Sequence, residues 1–486
     1  VSADHASGSG TLTDALNEAP LSLFHLRAMF TSGMGFFTDA YDLFVIGVAL
    51  VLVTAEWHLT TTEATLASSI ALVGAFFGAV VFGRLADVLG RKAIYGTEAA
   101  IMAVGAVLSA VAPDVSWLIA ARFLLGIGIG GDYPVSATIM SEYANRKDRG
   151  RLVSMVFSTQ AVGLIVGPMV ALTLLGAGVS NDFAWRIMLG LGAVPALAVI
   201  YLRRTMPESP RYVAQVMGNA SAAAASMAGL TGGAIRASAE EMPAVRERFV
   251  DFIRNRRNLL LLTGTAGSWF LLDYAYYGNT ISTPLILRAV APHAALMQSV
   301  AWTLIVFALA AAPGYVLALI AIDRIGHRRL QWMGFLGMAG AFGLIGLIPS
   351  ITHLVAPFLA LYGLSYFFTE FGPNVTTFVL PSEVYPITSR TTGHGISSGV
   401  AKMGAFTGVY AFPHVEALLG LQGTLLLTAG AALLGALLTL LLPEPAGLSI
   451  EEASRARAAG HDARVRADRG TGAGDLVARP AGTIVP

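Results

Sequence analysis

Residues 126–143 read GIGIGGDYPVSATIMSEY and lie in an apolar segment that opens near Trp117. A helix loses roughly 1 kcal/mol for each interior Gly and about 3 kcal/mol for a Pro. Here Gly126, Gly128, Gly130, Gly131 and Pro134 surround a single aspartate, Asp132. A water-soluble core does not favour that composition. In a bilayer, small residues let helix backbones approach closely, and irregular backbone is tolerated where it packs in protein or lines a wet cavity. A carboxylate at such depth costs about 2.5–3.5 kcal/mol on insertion scales and so marks a functional position. The stretch is expected to be part of a substrate-path helix of a membrane transporter.

The composition of the whole chain agrees. Of its 486 residues 55% are hydrophobic and 13% charged, with a mean hydropathy of +0.66. A water-soluble domain carries about 25% charged residues. The net charge of +1 excludes the concentrated basic face that nucleic acid requires. With no Cys, disulfides, thiolate chemistry and Cys metal sites are excluded. The polar first twenty residues hold no apolar run, so a cleaved signal peptide is not expected.

A span needs about 20 mostly apolar residues. Twelve such stretches are expected, near 28–53, 64–83, 93–112, 116–141, 151–177, 185–203, 258–287, 297–321, 330–350, 354–380, 390–414 and 421–442. They divide into two groups of six, 28–203 and 258–442, around a loop at 204–257, with tails at 1–27 and 443–486. The fold class expected is an all-α membrane protein of twelve helices. Lys and Arg mark cytoplasmic loops. They cluster at Arg84, Arg91 and Lys92, at 146–151, through 203–257 and at Arg324, Arg328 and Arg329; the opposite loops offer only Arg186 and Arg288. Both termini are thus expected in the cytoplasm, and the Arg- and Gly-bearing tail after Leu442 is expected to be disordered. The halves repeat weakly. GRLADVLGRK (83–92) answers DRIGHRR (323–329), Ser141-Glu142 answers Ser382-Glu383, and Pro207-Glu208 answers Pro443-Glu444. Paired halves around a midplane site are a known transporter plan.

These stretches carry a resemblance. GRLADVLGRK resembles the signature loop of the major facilitator superfamily, and PESPRY (207–212) a motif of its sugar porters. GFFTDAYDLFVIG (35–47), GIGIGGDYPVSATIMSEYA (126–144), the Trp269/Asp273/Tyr277 spacing, FGPNVTTFVLPSEVYP (371–386) and TTGHGIS (391–397) are similar to the phosphate:proton symporter family. The likeness runs over nearly all of 28–442.

Trp269, Asp273 and Tyr277 stand four residues apart and share one helix face over about 12 Å of rise. The resemblance implies that these three touch phosphate together with Tyr133, Gln160 and Asn374. Gln160 alone reads equally as an interhelical hydrogen bond. Asn374 follows Gly372-Pro373, where a helix break is expected. Lys402 is a cation inside a span of the second half. It either neutralises Asp273 or Glu370, or helps to hold the anion. Asp39 and Asp42 lie on one face of the first span, and Asp42 falls at a depth comparable to Arg122 on an antiparallel helix. An ion pair or a proton relay fits these residues, and the resemblance favours the relay; Asp132 is expected to be a proton acceptor. Asp87, Arg91, Glu142 and Arg149, with Asp323, Arg328, Glu383 and Arg390, are expected to form charge latches that close the inner gate.

No Walker loop, HExxH or catalytic Ser arrangement is found. GIGIGG follows no strand and is not a dinucleotide loop. The chain is therefore expected to be no enzyme and to need no cofactor or metal. Its expected function is import of inorganic phosphate with protons across the cell membrane, by alternating access. The cargo is phosphate and protons, the surrounding partner is lipid, and no oligomer is implied. A transporter of a sugar or organic acid, or a phosphate sensor of the same fold, are the competing readings.

Overall fold

The computed structural model describes residues 12–231 and 248–455. All its regular elements among these are helical. Nine helices are long and apolar enough to cross a membrane. They include α1 (Leu23–Trp57), α2 (Thr61–Leu89), α3 (Arg91–Ala110), α4 (Val115–Tyr143), α5 (Arg149–Gly176) and α6 (Asn181–Thr205). A second group opens with α7 (Arg256–Ile281), which falls outside the nine. It holds the other three of the nine found among the described residues: the long last helix, α8 (Leu296–Ile325) and α9 (His327–Leu347). Next comes α10, Val355–Phe371 continued as Pro373–Val379. The last helix, Arg390–Thr439, turns non-helical at Gly420 (φ 67°, ψ 174°) and so makes two crossings, α11 and α12. The twelve crossings form two six-helix groups, as expected.

α10 breaks at Gly372 (φ −123°, ψ −97°), where the sequence leads one to expect it. α4 is the helix expected, in spite of its composition. Its Gly- and Pro-rich stretch stays helical from Val115 to Tyr143. The glycines serve close packing instead of irregular backbone. A Cβ on Gly126 or Gly130 would stand 1.9 Å from the carbonyl oxygens of Ala71 or Ala75 on α2. Such contact between backbones offsets the helix propensity lost at each Gly.

The two groups also meet backbone to backbone, at the end of the bundle that bears the Arg-rich loops, here called the basic end. A Cβ on Gly395 of α11 would lie 2.4 Å from the Ala79 carbonyl oxygen of α2. One on Gly83 would lie 2.7 Å from that of Thr391.

The segments outside the crossings are more ordered than the sequence suggests. Leu12–Glu18, Pro210–Gln215 and Ala220–Thr231 are helices. Leu12, Leu16, Val213, Ala214 and Ala223 make their own small apolar core. The tail is folded as far as it is described. Ile450–Ala453 is a capped helical turn, and Glu451 pairs with Arg211 at 2.5 Å. Disorder therefore does not hold for 443–455. Residues 456–486 lie outside the described residues.

Candidate functional site

Helical spacing on α7 aligns Trp269, Asp273 and Tyr277, all three fully buried. Lys402 reaches them from α11. Its Nζ donates to Asp273 Oδ2 (3.1 Å), to the Tyr277 hydroxyl (2.6 Å) and to the Tyr133 hydroxyl of α4 (3.2 Å). An ammonium has three N–H donors, so all are engaged. Nζ also stands 4.4 and 4.2 Å from the ring centres of Tyr133 and Tyr277, which adds cation–π attraction. Of the two carboxylates open to Lys402, the structure pairs it with Asp273 and leaves Glu370 without it.

From the first group, Tyr133 donates to Asp39 Oδ2 at 2.5 Å. Gln160 Nε2 on α5 donates to the same oxygen at 3.2 Å. The network continues across the groups. Tyr315 of α8 donates to Gln160 Oε1 (2.9 Å). Asn374 Nδ2, one turn past the α10 break, donates to the Tyr315 hydroxyl (2.9 Å) and to Glu370 Oε2 (2.5 Å). All seven residues expected to touch substrate thus belong to one connected polar cluster between the two groups. Tyr315, which belongs to it, carries no motif and was not singled out. Only its place on a helix facing Gln160 reveals it.

Towards the basic end the cluster rests on aromatic rings. Phe378 stands 4.7 Å from Phe157 and 4.9 Å from Phe36, centre to centre. His394 packs edge-on to Trp269 at 5.6 Å. Towards the other end a cavity of about 370 Å³, lined by Gly47, Thr54, Ser68, Ile281 and Ser282 among others, lies between the groups. Below it a pocket of about 20 Å³ shares Ser68 and Ile281 and reaches Asp39, Asp42, Arg122 and Tyr277. That volume suffices for one water.

Asp42 and Arg122 form a two-point ion pair, at 2.5 and 2.7 Å, as equal depth on antiparallel helices requires. Asp39 bonds to Tyr133 and Gln160. Asp132 follows a different path from its neighbour Tyr133, because consecutive residues on a helix point about 100° apart. Its carboxylate meets Arg203 of α6 at 2.7 Å and Ser136 at 2.6 Å. Arg203 also holds Glu98 of α3 at 3.0 Å. Neither Arg203 nor Glu98 was singled out. Arg203 ends a span and reads as a loop charge, whereas Glu98, a carboxylate inside an apolar run, was a usable signal.

At the basic end Glu142 accepts from Arg91 (2.9 Å) and, across the groups, from Arg390 (3.3 Å). Asp87 accepts from the Thr392 N–H and hydroxyl of α11, both at 2.7 Å. Arg149 crosses to Glu383 at 2.7 Å. Asp323 accepts the Arg151 N–H at 2.9 Å and pairs with His327 at 3.2 Å. His327 also meets Glu383 at 2.9 Å. Arg328 stands apart from this set. Its guanidinium bonds the Leu442 carbonyl at 3.1 Å, and His327 occupies the place expected for it. Burial alone would push the Glu383 carboxyl up, but His327 and Arg149 outweigh it and hold it at about 2. A depressed carboxyl contributes its stability above its ordinary value and loses it only as pH falls through about 2. The Glu383 carboxyl therefore contributes to this ion-pair set throughout the physiological pH range.

Comparison with known proteins agrees with this architecture. The sugar (and other) transporter family pattern matches residues 28–456. The chain is 37% identical to the probable inorganic phosphate transporter 1-6 of Arabidopsis thaliana, over 92% of this chain and 96% of that one. It is 36% identical to inorganic phosphate transporter 1-1 of Oryza sativa subsp. japonica, over 94% and 98%. The solved structure of the proton:xylose symporter XylE, of the major facilitator superfamily, superposes with a TM-score of 0.77 at 19% identity, covering 89% of this chain and 99% of that one. The chain has the fold of the major facilitator superfamily; it belongs to the sugar (and other) transporter family, and within it to the family of the inorganic phosphate transporters.

Proposed function

We propose that this protein imports inorganic phosphate together with protons, by rocking the 28–203 half against the 258–442 half around the Lys402 cluster. The carrying observation is that cluster: a buried cation, two phenols, two amides and an indole converge with Asp273 where the halves meet. The names of the relatives supply the substrate. Tyr133, Gln160, Trp269, Asp273, Tyr277, Asn374 and Lys402 receive the anion. Their present bonds to one another exchange for bonds to its oxygens. Asp39, Asp42, Arg122 and Asp132 carry the coupling, and the outer cavity is the entry. The latches at the basic end, which lies in the cytoplasm with both termini, hold that side shut until the site is loaded.

An ionised Asp273 beside a phosphate anion repels it unless a proton lies between them. Monoanionic phosphate donates its own O–H to Asp273, or a protonated Asp273 donates to phosphate. Phosphate monoesters have a second pKa of about 6, so protonated forms are abundant near neutrality. Sulfate has no such proton and leaves acceptor facing acceptor. A buried polar group without a partner costs about 1–3 kcal/mol, and more when charged, which is roughly tenfold discrimination or greater. The test is radiolabelled phosphate uptake into proteoliposomes, with and without a proton gradient. Uptake is expected to need the gradient and to rise as external pH falls. Arsenate, which keeps the protons, competes at near-equal concentration, and sulfate at least about tenfold more weakly. Sulfate matching arsenate as an inhibitor overturns the shared proton.

A further inference from the structure

Glu370 is a buried carboxyl that this scheme leaves unused. It lies on α10, two residues before the break at Gly372, with no exposed surface. Among the described residues no Lys, Arg or His pairs with it. Asp39 also lacks a direct ion pair, but it shares Tyr133 and Tyr277 with Lys402. The groups facing Glu370 are uncharged: the Asn374 amide and the phenols of Tyr315 on α8, Tyr276 on α7 and Tyr366 on its own helix. Two of its surroundings are incomplete. Glu370 Oε1 and the Tyr276 hydroxyl are buried and face each other, yet neither is held in a hydrogen bond of full geometry.

We propose that Glu370 is a second proton-carrying carboxyl, tied to phosphate through the side-chain amide of Asn374. This rests on the phosphate:proton reading above. An amide has two N–H donors, and both of Asn374's are committed, one to Tyr315 and one to Glu370. Asn374 can therefore donate to a phosphate oxygen only by withdrawing one of them. A hydrogen bond given to a carboxylate favours its charged form. When phosphate takes the N–H from Glu370, the carboxyl loses that support and takes up a proton from water of the outer cavity. A proton on Oε1 then donates to the Tyr276 oxygen, which completes both groups. When phosphate departs at the basic end, the N–H returns to Oε2, the O–H bond breaks and the proton passes to water on that side. Proton and phosphate each favour the other's binding, and the reciprocity is what symport needs. The Tyr315–Gln160 bond, which crosses between the halves, is broken as they separate, so the exchange follows the rocking.

The test is Glu370→Gln in proteoliposomes. Gln imitates the protonated acid: it is neutral, its own N–H meets the Tyr276 oxygen, and Asn374 can turn from it to phosphate without a change of charge. Two quantities are read, phosphate exchange without a gradient and the accumulation ratio at a fixed gradient of about one pH unit. One coupled proton contributes a factor of about ten per pH unit. The expected result is persistent exchange with accumulation lowered about tenfold. An unchanged accumulation ratio in E370Q overturns the proposal. Failure of the unaltered protein to exchange phosphate at all overturns the reading on which it rests, so the two failures are distinct. Tyr276→Phe, which removes only a hydroxyl held in no hydrogen bond of full geometry, supplies a second reading. Infrared difference spectra on adding phosphate should show a carboxylic C=O band that shifts in Y276F, and a band at the same position in both proteins counts against the proposal.

Discussion

Lys402→Gln is expected to abolish phosphate uptake, with a loss of at least about 100-fold. Lys402 holds three partners at once, and its removal leaves the Asp273 carboxylate buried without a counter-charge. Breaking one side of a buried pair costs about 3–5 kcal/mol, and every 1.4 kcal/mol is about tenfold. Asp273→Asn strands the ammonium in the same way and should lose uptake comparably. The double variant separates structure from binding. Removing both charges together relieves the stranded partner, so thermal stability in detergent should recover towards the unaltered protein. Uptake should not recover, because the anion has lost its cation. Restored uptake in the double variant would reduce the pair to a structural link, and near-normal uptake in K402Q alone would remove Lys402 from the site.

The second large effect concerns coupling. Asp42→Asn and Arg122→Ala each dismantle the two-point pair of α1 and α4 without touching the groups around Lys402. Gradient-driven accumulation is expected to fall about tenfold at a gradient of one pH unit, while phosphate counterflow stays within about threefold, a difference under 1 kcal/mol. Asp132→Asn should share the loss of accumulation but keep its fold, because Arg203 retains Glu98 as a counter-charge. The measurement compares accumulation and counterflow in the same vesicles. Equal loss of both in all three variants would end the division between binding and coupling residues.

The sequence made the fold legible because a bilayer writes its thickness into apolar run lengths and its sidedness into Lys and Arg. The shared face of Trp269, Asp273 and Tyr277 followed from helical spacing, and the meeting of Asp42 with Arg122 from counting depth along two antiparallel spans. What failed to show was adjacency between helices. Spacing on α11 could not choose between Asp273 and Glu370 for Lys402, since both lie at similar depth on neighbouring helices. Asp132 and Tyr133 are consecutive, yet one joins Arg203 and the other Asp39. The order of the basic-end segments was hidden for a related reason: an Ala- and Ser-rich stretch looks like a loop until Leu12 and Val213 are seen to share a core.

The glycines of this chain fall into two kinds, and the distinction reaches the clockwork of turnover. Gly126 and Gly130 press α4 on α2 within one half, so an added methyl there acts on folding in every state. Gly83 and Gly395 press α2 on α11 across the halves, a contact that the proposed rocking would have to break to open the basic end. A methyl group at Gly395, 2.4 Å from the Ala79 oxygen, is in that cycle a wedge under one end state alone. Every 1.4 kcal/mol of that crowding lengthens the time spent open to the basic end about tenfold relative to the time spent shut. The empty carrier must close that end again before it can reload. In the proposed cycle the return stroke is then open to adjustment at a residue that lies apart from the Lys402 cluster.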